Sequence, residues 1–298
     1  MLCDTGCETV RATVVLAMLV SVGTADSSYE KQVEQWRVKR EARLKSENGW
    51  LTLAGLFWLK DGQNTVGTAT DCSIVLPLDS APAHLGTFRF QDGKTAFKAA
   101  PGLRVTINDK PAESADLRAD DSDGGPDIVA VKALSMYVIH RGDKYAIRLK
   151  DRNSEYRRKF TGLHWYPIRP EYRVTAKFIA WPQAQEIPIA NILGQTEPTP
   201  SPGYLEFTLN GVALRLDAVT EDDTLFLIFR DKTAGKTTYG AGRFLNTAMP
   251  KDGKVELDFN EAYNPPCAFT PYATCPLPPP QNRLAVAVEA GEKKYGDH

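Results

Sequence analysis

Apolar and polar positions change their period once along this chain. Between Ser27 and Lys45 the residues Tyr29, Val33 and Trp36 recur at i, i+4 and i+7 with charges between them, the spacing of one helical face. Ser27 and Glu30 have the spacing of a capping box, and Asn48-Gly49 supplies a left-handed stop. The pattern predicts a helix over 27–47 whose apolar stripe lies on a larger body, the first β-domain. Beyond residue 50 the period drops to two. Trp50–Leu59, Ser73–Leu76, Gly86–Phe90, Leu103–Ile107, Met136–Ile139 and Tyr145–Leu149 read as short strands, punctuated by Asp61-Gly62, Asp92-Gly93, Asn108-Asp109 and Arg141-Gly142-Asp143. A second series runs through Tyr172–Phe178, Tyr204–Leu209, Ala213–Val219, Leu225–Phe229, Val255–Phe259 and Leu284–Val288. Short strands without helices between them imply sandwiches or barrels.

The polar stretch Asp151–Lys159 separates the two series. The expected fold is therefore mainly β: an N-terminal helix, then two β-sandwich or barrel-like domains over 50–150 and 160–298.

Charge narrows the partners. With 298 residues and a formal net charge of -1, the chain offers no electrostatic reason to bind nucleic acid. The run Ala12–Val22 is apolar and is followed by Gly23-Thr24-Ala25, which reads as a signal peptide over 1–25 and a periplasmic or secreted protein. That run is too short to span a bilayer, which needs roughly 20 apolar residues, so no integral membrane segment is expected in the mature chain. Cys72, Cys267 and Cys275 remain after residue 25. Cys72 sits in an alternating stretch and reads as a small buried hydrophobe. Cys267 and Cys275 flank seven residues of a proline-rich loop, and an exported protein would join them as a disulfide.

One segment fits neither period: NPPCAFTPYATCPLPPPQNRL, from Asn264 to Leu284. Its prolines force extended backbone and withhold ladder donors, so it runs over a surface. Together with GWLTLAGLFWL, GLHWYPI, TYGAGRFL, VELDFNEAY and the AGEK ending, it resembles the bacterial family known as domain of unknown function 1684. The likeness covers nearly everything after residue 25. It implies one continuous unit and transfers no catalytic residue. Glu261 stands where a basic residue is expected. Within the first half, TVGTATDCSIVLP, SAPAHLGTF and RVTINDKP are similar to a forkhead-associated β-sandwich, whose active members read phosphothreonine. Such readers carry an arginine after the first glycine and a Ser-Arg-x-His stretch. Here Thr68 follows Gly67, and Ala81-Pro82-Ala83-His84 follows Ser80, so the guanidinium that would fork onto a phosphate is missing. The resemblance implies a shared fold without the phosphothreonine function.

Candidate chemistry gathers in the second half. Asn264, Asn282 and Arg283 are polar handles, with Tyr263, Tyr272 and Phe269 as flat faces, a composition that suits a small-molecule pocket or a plain covering loop. Arg243, beside Gly240 and Gly242, could clamp a carboxylate or phosphate, or pair with Asp258 in the interior. Arg283 has Asp258 as its own alternative partner. His164, between Leu163 and Trp165, reads as a capping histidine or as an acid–base or metal residue with Asp258, Cys267 or Cys275. Gly235-Lys236-Thr237 mimics a phosphate loop, but Arg230 stands where that loop needs glycine, leaving a hairpin turn. No cofactor and no metal site is implied. The leading reading is non-catalytic binding of a small anionic or peptide ligand by the C-terminal domain, through Arg243, Asp258, Tyr263, Asn264, Tyr272, Asn282, Arg283 and His164. A hydrolase or metal-dependent enzyme competes with it, and a structural envelope protein is the third reading.

Overall fold

The computed structural model describes residue 1 and residues 24–296. The apolar run 12–22, Cys3, Cys7 and His298 lie outside the described residues. Helix α1 (Thr24–Lys45) begins three residues before Ser27, which places the expected capping residue inside the helix. Its buried stripe is Tyr29, Val33, Arg40 and Leu44. Three of its side chains end in donors, and these select the partner. Tyr29 donates to Asp258 (2.8 Å), Arg37 to the Tyr166 carbonyl (3.1 Å) and Arg40 to the Asn264 carbonyl (2.9 Å). The helix therefore packs on the C-terminal domain, which corrects the expected packing on the first β-domain. A buried donor needs an acceptor, and the loops of the second domain present them.

The first domain is a sandwich of two sheets. Its strands are β1 (Leu53–Trp58), β2 (Gly62–Gly67), β3 (Ile74–Val75), β4 (Gly86–Gln91), β5 (Lys94–Ala99), β6 (Val105–Ile107), β7 (Lys110–Ala112), β8 (Ser114–Leu117), β9 (Val129–Val131), β10 (Leu134–Arg141) and β11 (Lys144–Asp151). One sheet has the order β1-β11-β10-β9-β6-β7 and the other β3-β2-β4-β5-β8. Phe88 and Phe97 from the second sheet meet Val129, Met136, Ile147 and Leu149 from the first in a single core. The polar linker then folds as a short helix, α2 (Glu155–Arg158), capped by Ser154.

The second domain is one curled, nearly closed sheet. Strands β12 (Arg173–Ala190), β13 (Thr196–Leu209), β14 (Val212–Glu221), β15 (Thr224–Phe229), β16 (Arg243–Ala248) and β17 (Lys254–Asp258) run in the order β16-β15-β14-β13-β12-β17. Leu205, Leu216, Leu227, Phe229, Leu245, Leu257 and Phe259 fill its interior. The expected strand Leu284–Val288 does not form. That stretch runs along the β15–β16 connection instead, tied by Leu284 N–H to Arg230 O (2.7 Å) and Val288 N–H to an Asp231 carboxylate oxygen (3.2 Å). Side-chain acceptors and a loop take the donors that a ladder would have used.

The proline-rich loop spans the junction. Ala273 and Cys275 pack with Leu53 of β1 and with Ile187, Ile189, Phe226 and Phe244 of the second domain. The same segment places Thr274 against Arg141 and Arg148 of the first domain. Among the described residues, no helix is long and apolar enough to cross a membrane.

Candidate functional site

Strand β11 alternates. Ile147 and Leu149 face the sandwich core, which turns Arg148 and Lys150 outward. In β10 the cross-strand neighbours are Tyr137, opposite Arg148, and Ser135, opposite Lys150. These residues form the floor of a cavity of about 890 Å³ whose walls include Glu47, Asn48 and Trp50 just after α1. Five cations line it, Lys132, Arg141, Arg148, Lys150 and Arg152, against three acids, Glu47, Asp109 and Asp120.

The pairing inside the groove is uneven. Arg141 is held by Asp120 at 2.8 Å and Arg152 by Glu47 at 3.3 Å. Arg148 and Lys150 have no carboxylate within ion-pair distance among the described residues. Arg148 is only 3% exposed, donates from Nη2 to Thr274 Oγ1 at 2.9 Å, and leaves Nε without a partner. Lys150 donates to the Asn48 carbonyl (2.9 Å) and lies over the rings of Trp50 and Tyr137. Burial, followed by the adjacent Arg148 charge, pulls the Lys150 ammonium below its usual range. Two like charges held together at low solvation create a local positive potential that favours an anion.

A second cavity of about 550 Å³ adjoins the first and shares Asn48 and Trp50 with it. Trp36, Arg40, Asn246, Glu261 and Tyr263 line this one. Tyr263 donates to Asn246 at 2.5 Å and carries the Arg40 guanidinium over its ring at 4.6 Å. Burial, reinforced by Asp258, pushes the Glu261 carboxyl up to about 7.

The residues singled out from sequence fall in several places. Arg243 is 1% exposed and pairs with Asp231 at 2.8 Å, not with Asp258. Asp258 instead accepts from Tyr29 and from the Asn260 backbone. Asn264 is fully buried, donating to Glu292 and to the Lys293 carbonyl, both at 2.7 Å. Asn282 donates to the Asp217 and Ile228 carbonyls and accepts from Asp217 N–H. Arg283 is exposed, and its expected pairing with Asp258 is not formed among the described residues. Tyr272 sits edge-on to Tyr156 and lines neither cavity. His164 is exposed, with its carbonyl accepting from Lys293 N–H. It joins no group of three potential metal ligands with Asp258, Cys267 or Cys275 among the described residues. Cys267 and Cys275 are free thiols, so the expected disulfide is not formed in this structure. The Cys267 N–H donates to Cys275 Sγ at 3.1 Å, and the hydrogen bond between the two thiols draws Cys267 below its usual range.

Of the sequence candidates, only Tyr263 lines either cavity. Arg148 and Lys150 escaped the sequence reading although their signal was there. In IRLKDR the basic residues Arg148, Lys150 and Arg152 fall at every second position, opposite the core-facing Ile147 and Leu149.

Comparison with solved structures finds partial matches. A solution NMR structure of an uncharacterized protein of Haloarcula marismortui is 35% identical, and the match covers 46% of this chain and 78% of that one with a TM-score of 0.39. The FhaA FHA domain, in complex with the intracellular domain of another protein, matches at 14% identity, covering 32% of this chain and 97% of its own, TM-score 0.23. The FHA-2 domain of a Mycobacterium tuberculosis ABC transporter matches at 22% identity, over 30% of this chain and 77% of its own, also at TM-score 0.23. No curated protein matches. The sequence profile described as "Protein of unknown function (DUF1684)" matches residues 158–293, from the linker to the end of the clamped C-terminal segment. By this match the C-terminal half of the chain, residues 158–293 with the proline-rich loop, belongs to the DUF1684 family.

Proposed function

We propose that the protein binds a small anionic ligand in the groove at the junction of its two domains. One observation carries this reading: Arg148 and Lys150 stand side by side on β11, without a carboxylate partner, facing a cavity of about 890 Å³. A buried arginine with an unpartnered Nε costs stability unless something accepts its proton. A phosphate or carboxylate group does so, and Trp50 and Tyr137 offer ring faces to the rest of the ligand. The binding site thus moves from the C-terminal domain's own residues to the face of the first domain that the C-terminal loop overhangs. Titration calorimetry with inorganic phosphate and with a nucleoside monophosphate tests it. Lys150→Ala should weaken binding by roughly 10–100-fold, the loss of one charge-assisted hydrogen bond of about 1.5–3 kcal/mol. Added salt should weaken it further. Absence of heat with either anion, or equal affinity in Lys150→Ala, would sink the idea.

The apolar run at 12–22 supports export to the periplasm or beyond, where Cys267 and Cys275 would close to a disulfide. Intact mass of protein purified from the periplasm without reductant should then be two hydrogens lighter, with the bond mapped to these residues. A fully thiol-reactive pair in that preparation counts against both location and bond.

A further inference from the structure

The loops at one end of the first sandwich hold a separate cluster of metal-ligating side chains. Asp71 and Cys72 lie in the turn leading into β3, and His84 in the loop leading into β4. Cys72 Sγ is 3.6 Å from His84 Nδ1, and that nitrogen is 3.9 Å from Asp71 Oδ1. One ligand atom from each of the three residues lies within 4.8 Å of the others. The Asp71–His84 separation is beyond hydrogen-bond range, so the carboxylate is not spoken for by the imidazole.

The sulfur–nitrogen distance suits an ion, and the carboxylate stands within reach of both. A tetrahedral zinc has bonds of about 2.3 Å to sulfur and about 2.0–2.1 Å to nitrogen, which puts its ligand atoms roughly 3.3–3.6 Å apart. The sulfur–nitrogen edge already has that length. The Asp71 side chain is exposed, so its carboxylate is free to rotate in toward the sulfur and the nitrogen.

The backbone beneath is fixed in advance. Thr68 N–H bonds to Pro82 O (3.1 Å), Ala69 N–H to Ala83 O (3.0 Å) and Cys72 N–H to Ala69 O (3.2 Å), which pins one ligand-bearing loop to the other. Ser73 N–H is held by Thr65 Oγ1 at 2.9 Å. Gly67 permits this approach, because a Cβ there would lie 1.9 Å from the Ala83 carbonyl oxygen. A thiolate with an imidazole selects zinc over magnesium or calcium, which prefer oxygen. Three protein ligands leave the fourth position for water or another molecule.

We infer that Asp71, Cys72 and His84 form a zinc site with one open coordination position. From its alternating stretch Cys72 is expected to be a small packed hydrophobe. It is 7% exposed, but its sulfur faces the imidazole and the Ala83 carbonyl.

The test is titration of metal-stripped, reduced full-length protein with Zn²⁺, and separately with Co²⁺, whose near-ultraviolet charge-transfer band reports a thiolate ligand. One equivalent should bind with that band present. Cys72→Ser should abolish the band. His84→Ala, an exposed change that spares the fold, should weaken binding by at least on the order of 100-fold, the upper end of what losing a mere outer-shell partner costs. Failure to bind, binding without the thiolate band, or unchanged affinity in His84→Ala overturns the assignment. A band that survives Cys72→Ser also overturns it and moves the metal to other cysteines.

Discussion

Replacing Arg243 by methionine is expected to destabilise the protein by about 3–5 kcal/mol, the range for breaking a buried ion pair from one side. The measurement is urea denaturation followed by intrinsic fluorescence. Arg243 opens β16 and is almost fully enclosed. Its Nη2 reaches Asp231 Oδ2 at 2.8 Å and the Val288 carbonyl at 2.9 Å, while Nη1 bonds to the Ala290 carbonyl. One guanidinium thus pegs the strandless C-terminal segment onto the barrel. Asp231 is committed on its other oxygen to Thr233 and to Val288 N–H. Methionine would fill much of the volume but leave that carboxylate buried without its counter-charge. The double variant Asp231→Asn with Arg243→Met should cost less than the sum of the singles, because the stranded charge is gone. A single-variant cost below about 1 kcal/mol would show that the segment is held by its apolar plugs, Val288 and Ala290, rather than by the peg.

Glu292→Gln is expected to flatten the pH dependence of stability. Glu292 is fully buried, accepts from Asn264 at 2.7 Å and lies 3.6 Å from Arg40 Nε. Burial pushes its carboxyl from the usual 4.5 up to about 7. Burial likewise pulls the Arg40 guanidinium down, so both partners report that enclosure outweighs their attraction. A carboxyl raised in the folded state keeps a proton that the unfolded chain releases. Its stabilising contribution is therefore whole below about pH 4.5 and is lost as pH rises through about 7. At about 1.4 kcal/mol per pH unit, that window carries about 3 kcal/mol. Glu261 is shifted in the same direction, so wild type should lose stability for two reasons between pH 5 and pH 8. The difference between wild type and Glu292→Gln isolates one of them. Unfolding curves at both pH values should converge toward equal stability at pH 5 and separate by about 2–3 kcal/mol in favour of the glutamine at pH 8. Parallel pH profiles for the two proteins would falsify this account of the buried pair.

Local pattern carried much of the architecture. The period of 3.6 over 27–45 is a helix, and the alternating segments after residue 50 are strands except at Leu284–Val288, because side-chain direction follows backbone geometry within a few residues. The 18-residue β12 is longer than the stretch read at Tyr172–Phe178. Its second half, WPQAQEIPIA, holds two prolines that argue against a central strand. Pairing with β13 holds it extended all the same, with a register shift between Ala180 and Gln185.

The asparagines and arginines of the C-terminal half looked like a binding set, since an exposed polar cluster and a buried scaffold of polar groups share one composition. Only the fold distinguishes them. Asn282 spends its amide on Asp217, 65 residues away, and Asn264 on Glu292, 28 residues away. Arg148 meets Thr274 across 126 residues.

By itself, then, the amino-acid sequence determined the helix, most of the longer strands, the polar break between the two strand series and the extended course of the proline-rich loop. Each of these is decided by residues within a turn or two of one another. The tertiary structure decided which charges are neutralised at home and which are left facing a cavity. That choice rests on partners brought together from distant parts of the chain, and on the water excluded when they meet.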